Sequence, residues 1–275
     1  MRNWAIGGTA VLGGMLGAGL YSARVAKRAE RQVPMTGRIV EAGEFRLHVT
    51  EQGEGRPLLL IHGLGATLGS FGQAMVDELA RDHRVIRVDR PGSGYSPRLA
   101  SRSQHLTDQA EAIGALIDAM GLEKPILVGH SLGGALSLHV AERYPDKVGG
   151  LTLIAPATQP VHNVPEVFRG LMIPLPLARL VSMTIAVPLG MATRDAVLKQ
   201  VFAPEPVPAD YLTAGGGALA LRPGNVEAAC GDLQLARSDA EEMVARYPQL
   251  KLPVAILFAR EDNLLDYREI GRAHV

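Results

Sequence analysis

The sequence predicts a doubly wound α/β fold, a mostly parallel sheet with helices on both faces and a helical cap inserted late in the chain. Three observations carry that prediction. Short apolar runs of buried-strand type alternate with amphipathic stretches from about residue 35 onward. The alternation stops between residues 157 and 248 and then resumes. At residues 129–133 a strand turns directly into a helix through a glycine-flanked serine.

Taken in order, "GRIVEAGEFRLHVTEQGEG" reads as two short strands around a glycine turn. "PLLLIHG", "HRVIRVD", "KPILVGH" and "VGGLTLIAP" are the buried strands, with helices expected from about Phe71 to Arg81, His105 to Met120, and after Ser131 to Tyr144. Residues 157–248 are apolar, helical in places and broken by prolines from Pro160 to Pro223, as an inserted cap would be. "LPVAILFARED" restores the strand pattern in residues 249–268, the second part of the core after residues 35–156.

The first 34 residues differ in character. Asn3 to Ala23 carries no charge, a length suited to a membrane span, and Arg24, Lys27, Arg28 and Arg31 follow it. Positive charge after the apolar run favours a retained anchor with the globular part on the cytoplasmic side, over export through a cleaved signal peptide. Gly13 and Gly17 form one weak G-x-x-x-G pair.

Composition excludes several classes of function. With 28 basic and 28 acidic residues among 275, nothing in the balance suggests a nucleic-acid partner. The single cysteine, Cys230, excludes an intramolecular disulfide and a cysteine-based zinc cluster. No metal and no cofactor is expected. The glycine turns in "HGLGATLG" and "PGSGYS" follow strands but lack G-x-G-x-x-G spacing, which argues against a dinucleotide site.

The chemistry lies in "PILVGHSLGGALSLHVAERYP". Gly129-His130-Ser131-Leu132-Gly133 is G-x-S-x-G in the strand-turn-helix setting that motif needs. Small residues flank the serine because the turn is too tight for side chains. The helix N-terminus behind it favours the negative charge that develops on an attacked carbonyl. The plainer alternative, a serine that only caps a helix, is disfavoured by the flanking strand and helix.

On these residues the chain, from about Thr36 to Arg268, resembles the α/β-hydrolase fold superfamily of serine hydrolases. The resemblance implies an oxyanion hole from the N–H groups of Leu64, which follows His62-Gly63 in "LLLIHGLG", and of Leu132. It implies a structural role for "DRPGSGYS", Asp89 to Ser96. It places the acid in the turn after "VAILFA", so that Asp262 is the choice and Asp266 the runner-up; an ordinary turn aspartate is the competing reading of Asp262. A serine at the elbow points to acyl chemistry: cleavage of an ester, thioester or amide, or of a carbon–carbon bond beside a ketone.

The base is the missing member. Of eight histidines only His274 follows Asp262, and in the family a helix and a further strand lie between acid and base, for which there is no room here. The ending Ile-Gly-Arg-Ala-His-Val matches the translation of a common DNA-sequencing adapter. Residues 269–275 are therefore expected to be an assembly artefact, with the last helix and strand of the fold missing, the remaining edge strand apolar, and the chain as given inactive. The expected activity of the parent is a membrane-tethered serine hydrolase acting on a small, apolar acyl substrate. Acyl transfer or cofactor-free perhydrolysis on the same fold, and a non-catalytic binding protein, are the alternatives.

Overall fold

A computed structural model describes residues 2–160 and 164–265, with side chains from Gly13 onward. Among these residues seven strands form one sheet in the order β1-β2-β4-β3-β5-β6-β7. Strands β1 (Arg38–Ala42) and β2 (Phe45–Gln52) make an antiparallel hairpin, and β2 pairs antiparallel with β4 (His83–Val88). From β4 onward every pairing is parallel, through β3 (Arg56–Ile61), β5 (Ile126–His130), β6 (Gly150–Ile154) and β7 (Val254–Leu257).

Both faces of the sheet are covered, as the alternation predicts. In β3, Leu59 and Ile61 point into a core shared with helices α3 (Leu106–Ala119) and α4 (Leu132–Arg143), whereas Leu58 and Leu60 point to the opposite face with Val76 of α2 (Gln73–Leu79). Each buried aliphatic side chain contributes roughly 1.5–3 kcal/mol relative to exposure, so the four from this one strand are a substantial share of the core.

Between β6 and β7 the described chain has no strand. It folds instead into α5 (Leu175–Val181), a π-helical turn at Ser182–Ala186, α6 (Val187–Phe202) and α7 (Pro223–Val244), with short 3-10 turns between them. Asp232 of α7 reaches Arg90, Arg222 reaches the Gly94 carbonyl, and Gly216 packs on Thr67. Thr67, Arg90 and Gly94 all lie in loops that follow parallel strands, so this helical segment caps the carboxyl edge of the sheet, where open α/β sheets place their sites.

The N-terminal segment shows one difference from the sequence reading. The stretch after the apolar run, a basic connector by its sequence, belongs to a single helix, α1 (Arg2–Gln32), which continues from the apolar run and docks on the cap. Its Arg and Lys residues are good helix formers, and the docked side, with Ser22 and Ala29 buried, supplies the tertiary packing that holds a helix in place. Among the described residues, the helical stretch long and apolar enough by length and composition to cross a membrane is Leu175–Phe202 in the cap. Of the anchor expected at Asn3 to Ala23, the side chains are described from Gly13 onward.

Candidate active site

Ser131 sits where β5 gives way to α4, with φ 52° and ψ −119°. A positive φ is costly for a residue with a Cβ, and it persists only where the surroundings over-determine it. Here they do. The Ser131 N–H donates to the Ile154 carbonyl of β6 at 2.9 Å, and the Ser131 carbonyl accepts from Gly134 at 2.9 Å and Ala157 at 3.1 Å. A Cβ on Gly133 would stand 2.1 Å from the Ile61 carbonyl oxygen, and one on Gly129 would stand 2.5 Å from that of Gly133. The two glycines of the motif are therefore required by close approach of backbone to backbone, as the sequence implied.

The strand beside the elbow brings the other half of the site. β3 pairs with β5, so that Ile61 lies opposite Gly129 and the His62-Gly63-Leu64 turn follows beside Ser131. A Cβ on Gly63 would be 3.0 Å from that of Ser131. Leu132 opens α4, where the first N–H groups have no acceptor within the helix. The turn carrying Leu64 thus lies beside the serine, and Leu132 follows the serine in the chain at the start of α4.

The turn at His62 is held from behind. Arg90, wholly buried, donates from Nε to the His62 carbonyl at 3.0 Å and from one Nη to the Gly63 carbonyl at 3.2 Å. Its remaining donors go to Gln109 and to Asp232, both at 2.8 Å. The Arg90 N–H also donates to Nε2 of His62, which leaves the ring proton on Nδ1, facing the Gly63 carbonyl at 2.9 Å. Burial, and then the neighbouring Arg90 charge, lower the His62 pKa to about 3, so the ring is neutral. His62 is a structural brace, not a base.

Asp89 braces the same loop layer. Its carboxylate accepts from the N–H groups of Leu68 and Tyr95 and pairs with Nδ1 of His48 at 2.7 Å. Burial alone would lower the His48 pKa, but hydrogen bonds to Asp89 and to the Thr36 carbonyl, with the charge of Asp89, outweigh it and the net shift is upward. This pair borders a cavity of about 170 Å³ beside Val33, Tyr95 and Thr213, which does not reach Ser131. The structural role expected for Asp89 to Ser96 agrees with these contacts.

Asp262 lies in the turn after β7. Registers His130 to Ile154 and Ile154 to Leu257 align the carboxyl ends of β5, β6 and β7, so the turn opens on the same edge as the serine. The Asp262 charge reaches His130, whose pKa burial lowers and Asp262 partly restores. One carboxylate oxygen, Oδ1, accepts from the N–H groups of Leu264 and Leu265 at 2.8 and 3.0 Å. That is a turn-capping role, and it leaves Oδ2 out of both bonds. Asp266, His274 and residues 269–275 lie outside the described residues. His139 is a buried histidine on the face of α4, and burial lowers its pKa.

Sequence reading missed the Arg90–Asp232–Gln109 cluster. "DRPG" announced Arg90, but nothing in the pattern of α7 announced that Asp232 and Asp239 would be buried, since the segment was read as an apolar cap. Among the described residues no group of three or more His, Cys, Asp or Glu side chains is arranged to hold a metal ion.

Residues 56–273 match the family described as alpha/beta hydrolase fold. The chain belongs to that family. A curated relative, 2-hydroxymuconate semialdehyde hydrolase of Pseudomonas sp. (strain CF600), is 34% identical over 131 residues, which are 47% of this chain and 46% of the relative. The match thus spans about half the length of that relative. Among solved structures, an alpha/beta hydrolase fold protein from Burkholderia ambifaria superposes with a TM-score of 0.68 at 25% identity, covering 86% of this chain and 87% of the other. A structure described as a membrane phospholipase A, a bacterial virulence factor, gives 0.62 at 23% identity with 98% and 86% covered, a likeness of fold.

Proposed function

We propose that this α/β hydrolase is a serine hydrolase in which Ser131 attacks an acyl carbonyl. The N–H groups of Leu64 and Leu132 receive the developing oxyanion, and Asp262 is the acid that orients a histidine base. Water then releases the acyl group. The observation that carries the reading is the backbone of Ser131: φ 52° in a half-buried turn whose N–H and C=O are both hydrogen-bonded is strain that packing alone does not need. Curated relatives that are hydrolases support it at the level of reaction class. An apolar acyl ester is the substrate class we favour, on the apolar character of the cap and of the segment Asn3 to Ala23. Because the relative's name specifies a semialdehyde hydrolase, cleavage of a carbon–carbon bond beside a carbonyl is the second reading.

We read Asn3 to Ala23 as the single membrane anchor, with the catalytic part on the cytoplasmic side. Docking of Ser22 and Ala29 on the cap supports retention of the segment over cleavage.

The test is covalent. In protein made from the gene read past the codon for Arg268, a fluorophosphonate probe is expected to label Ser131, with Ser131→Ala unlabelled. A folded sample whose Ser131 does not react removes the enzyme reading and leaves a binding protein. Product analysis with water and with an alcohol or peroxide as acceptor separates hydrolysis from acyl transfer and perhydrolysis.

A further inference from the structure

The cap carries an apolar surface that nothing among the described residues covers. Leu180, Met183, Ile185 and Leu189 are each half-exposed or more, as are Leu16 and Leu20 on the neighbouring stretch of α1. The helical run Leu175–Phe202 that bears most of this surface has only 22% of its most apolar window buried. From Leu180 to Thr193 it has no charged residue, and it is bracketed by Arg179 and Arg194. Isolated exposed leucines need no explanation, but exposed apolar side chains gathered on two elements that pack on each other mark a contact surface.

What covers the patch follows from where α1 meets it. The Ser22 hydroxyl donates to the Ala18 carbonyl within α1 and lies 3.4 Å from the Thr184 carbonyl of the cap. A Cβ on Gly19 would lie 3.8 Å from the Met183 carbonyl. Val25 packs with Ala178, Val187, Val226 and Cys230, and Glu30 pairs with Arg222 at 3.1 Å, so the two elements are fastened over several turns. Gly19 and Ser22 belong to the uncharged segment Asn3 to Ala23. Whatever medium surrounds the end of that segment also meets Met183 and Ile185.

We propose that the exposed face of Leu175–Phe202 lies in the surface of the lipid bilayer that α1 enters, giving the protein a second membrane contact. The inference rests on the anchor reading of α1. The charge around the patch suits anionic headgroups. Residues 166–202 carry Arg169, Arg179, Arg194 and Lys199 against Glu166 and Asp195, and α1 adds Arg24, Lys27, Arg28 and Arg31 against Glu30. A helix with an apolar face and basic flanks lies in the interface plane, and the fastening to α1 sets its depth at the end of the anchor. Ala178 and Val187 of the run pack on Val226 and Cys230 of α7, and Met243 of α7 belongs to the core of the sheet, so Leu175–Phe202 lies on the membrane and does not cross it.

The test uses the full chain in phosphatidylglycerol–phosphatidylethanolamine vesicles, with an environment-sensitive fluorophore on single introduced cysteines. Cys230 is fully buried and stays unlabelled, which the parent protein checks. The sites are Leu16→Cys for the anchor, Met183→Cys and Ile185→Cys for the cap, and Glu123→Cys at the opposite end of the sheet. Leu16→Cys and both cap labels are expected to be quenched by a spin label placed on the lipid acyl chain, with Glu123→Cys unaffected. Quenching at Leu16→Cys with water-like, unquenched cap labels keeps the anchor and overturns the cap contact. No quenching at any site overturns both. Cap labels that are shielded but unquenched by lipid, with cross-linking between chains at Met183→Cys, overturn it in favour of a contact between two copies.

Discussion

The two carboxyl-edge turns proposed to share the chemistry are built to different standards. Ser131 stands at the centre of the sheet, between β3 and β6, with its backbone fixed by hydrogen bonds on both sides and by glycines that no other residue can replace. Asp262 follows β7, which among the described residues closes the sheet at one edge and leaves Leu257 53% exposed. The position of Ser131 is over-determined, and that of Asp262 depends on one strand pairing and two capping hydrogen bonds. A site assembled this way keeps its serine poised even when its edge is perturbed, so changes at the two places should separate by size and by what they alter.

The largest effect is expected behind the oxyanion turn. Arg90→Met leaves Asp232 as an uncompensated carboxylate in a dry interior and frees the His62 and Gly63 carbonyls, so stability should fall by about 3–5 kcal/mol in urea melts. Arg90→Met with Asp232→Leu should recover much of that loss, because the buried charge is then gone. A single variant as stable as the parent would break the claim that the centre is over-determined. Next comes Gly133→Ala. Its new methyl would overlap the Ile61 carbonyl, both partners are backbone, and a loss of about 3 kcal/mol follows from overpacking that cannot relax.

The pH dependence of stability tests the same region without mutation. His62 has a folded-state pKa of about 3 against an ordinary 6.5, so the unfolded chain binds the proton more readily and stability falls as pH drops below 6.5. The slope is up to about 1.4 kcal/mol per pH unit, or about 2 kcal/mol between pH 6.5 and 5. His48, whose pKa is raised, contributes in the opposite sense: its pairing with Asp89 is present in full below 6.5 and is lost as pH rises through the folded value. Melts at the two pH values should show the loss in the parent and a much smaller one in His62→Gln.

How much of this was legible in the sequence follows from the length scale of each feature. The elbow could be read because G-x-S-x-G, the preceding strand and the following helix are contiguous, and the close approaches that demand Gly129 and Gly133 involve that local turn and one neighbouring strand. The hairpin at Gly43 and the helix at Leu106–Ala119 were legible for the same reason. Arg90 was visible and its purpose was not, since its partner Asp232 lies far along the chain on a helix whose polar positions gave no sign of burial. The docking of α1 was invisible for a related reason: a run of basic residues after an apolar one looks like a solvated connector until the cap meets Ser22, Val25 and Ala29.

At the edge, Asp262→Asn separates turn chemistry from catalysis. Asparagine keeps a side-chain oxygen for the Leu264 and Leu265 N–H groups, so stability should change by less than about 1 kcal/mol. If Asp262 orients the base, fluorophosphonate labelling of Ser131 in the gene product read past Arg268 should slow on the order of 10³-fold or more. Equal labelling rates would return Asp262 to a turn residue and move the acid elsewhere.

The smallest effect on stability is expected at β7 itself. Leu257 pairs through its backbone with Ile154, but its side chain is largely in water, so Leu257→Lys removes little burial and should change stability by no more than about 0.5 kcal/mol. Its effect should appear in association. A flat apolar edge offers free N–H and C=O groups to another chain, and a lysine there opposes that pairing by charge and by the cost of covering it. Light scattering of the 275-residue chain at rising concentration should therefore show less aggregation for Leu257→Lys than for the parent, at unchanged melting. If the lysine instead destabilises the fold by several kcal/mol, β7 is covered in the folded protein, and the contrast between a fixed centre and an open edge has to be redrawn with Asp262 on the fixed side.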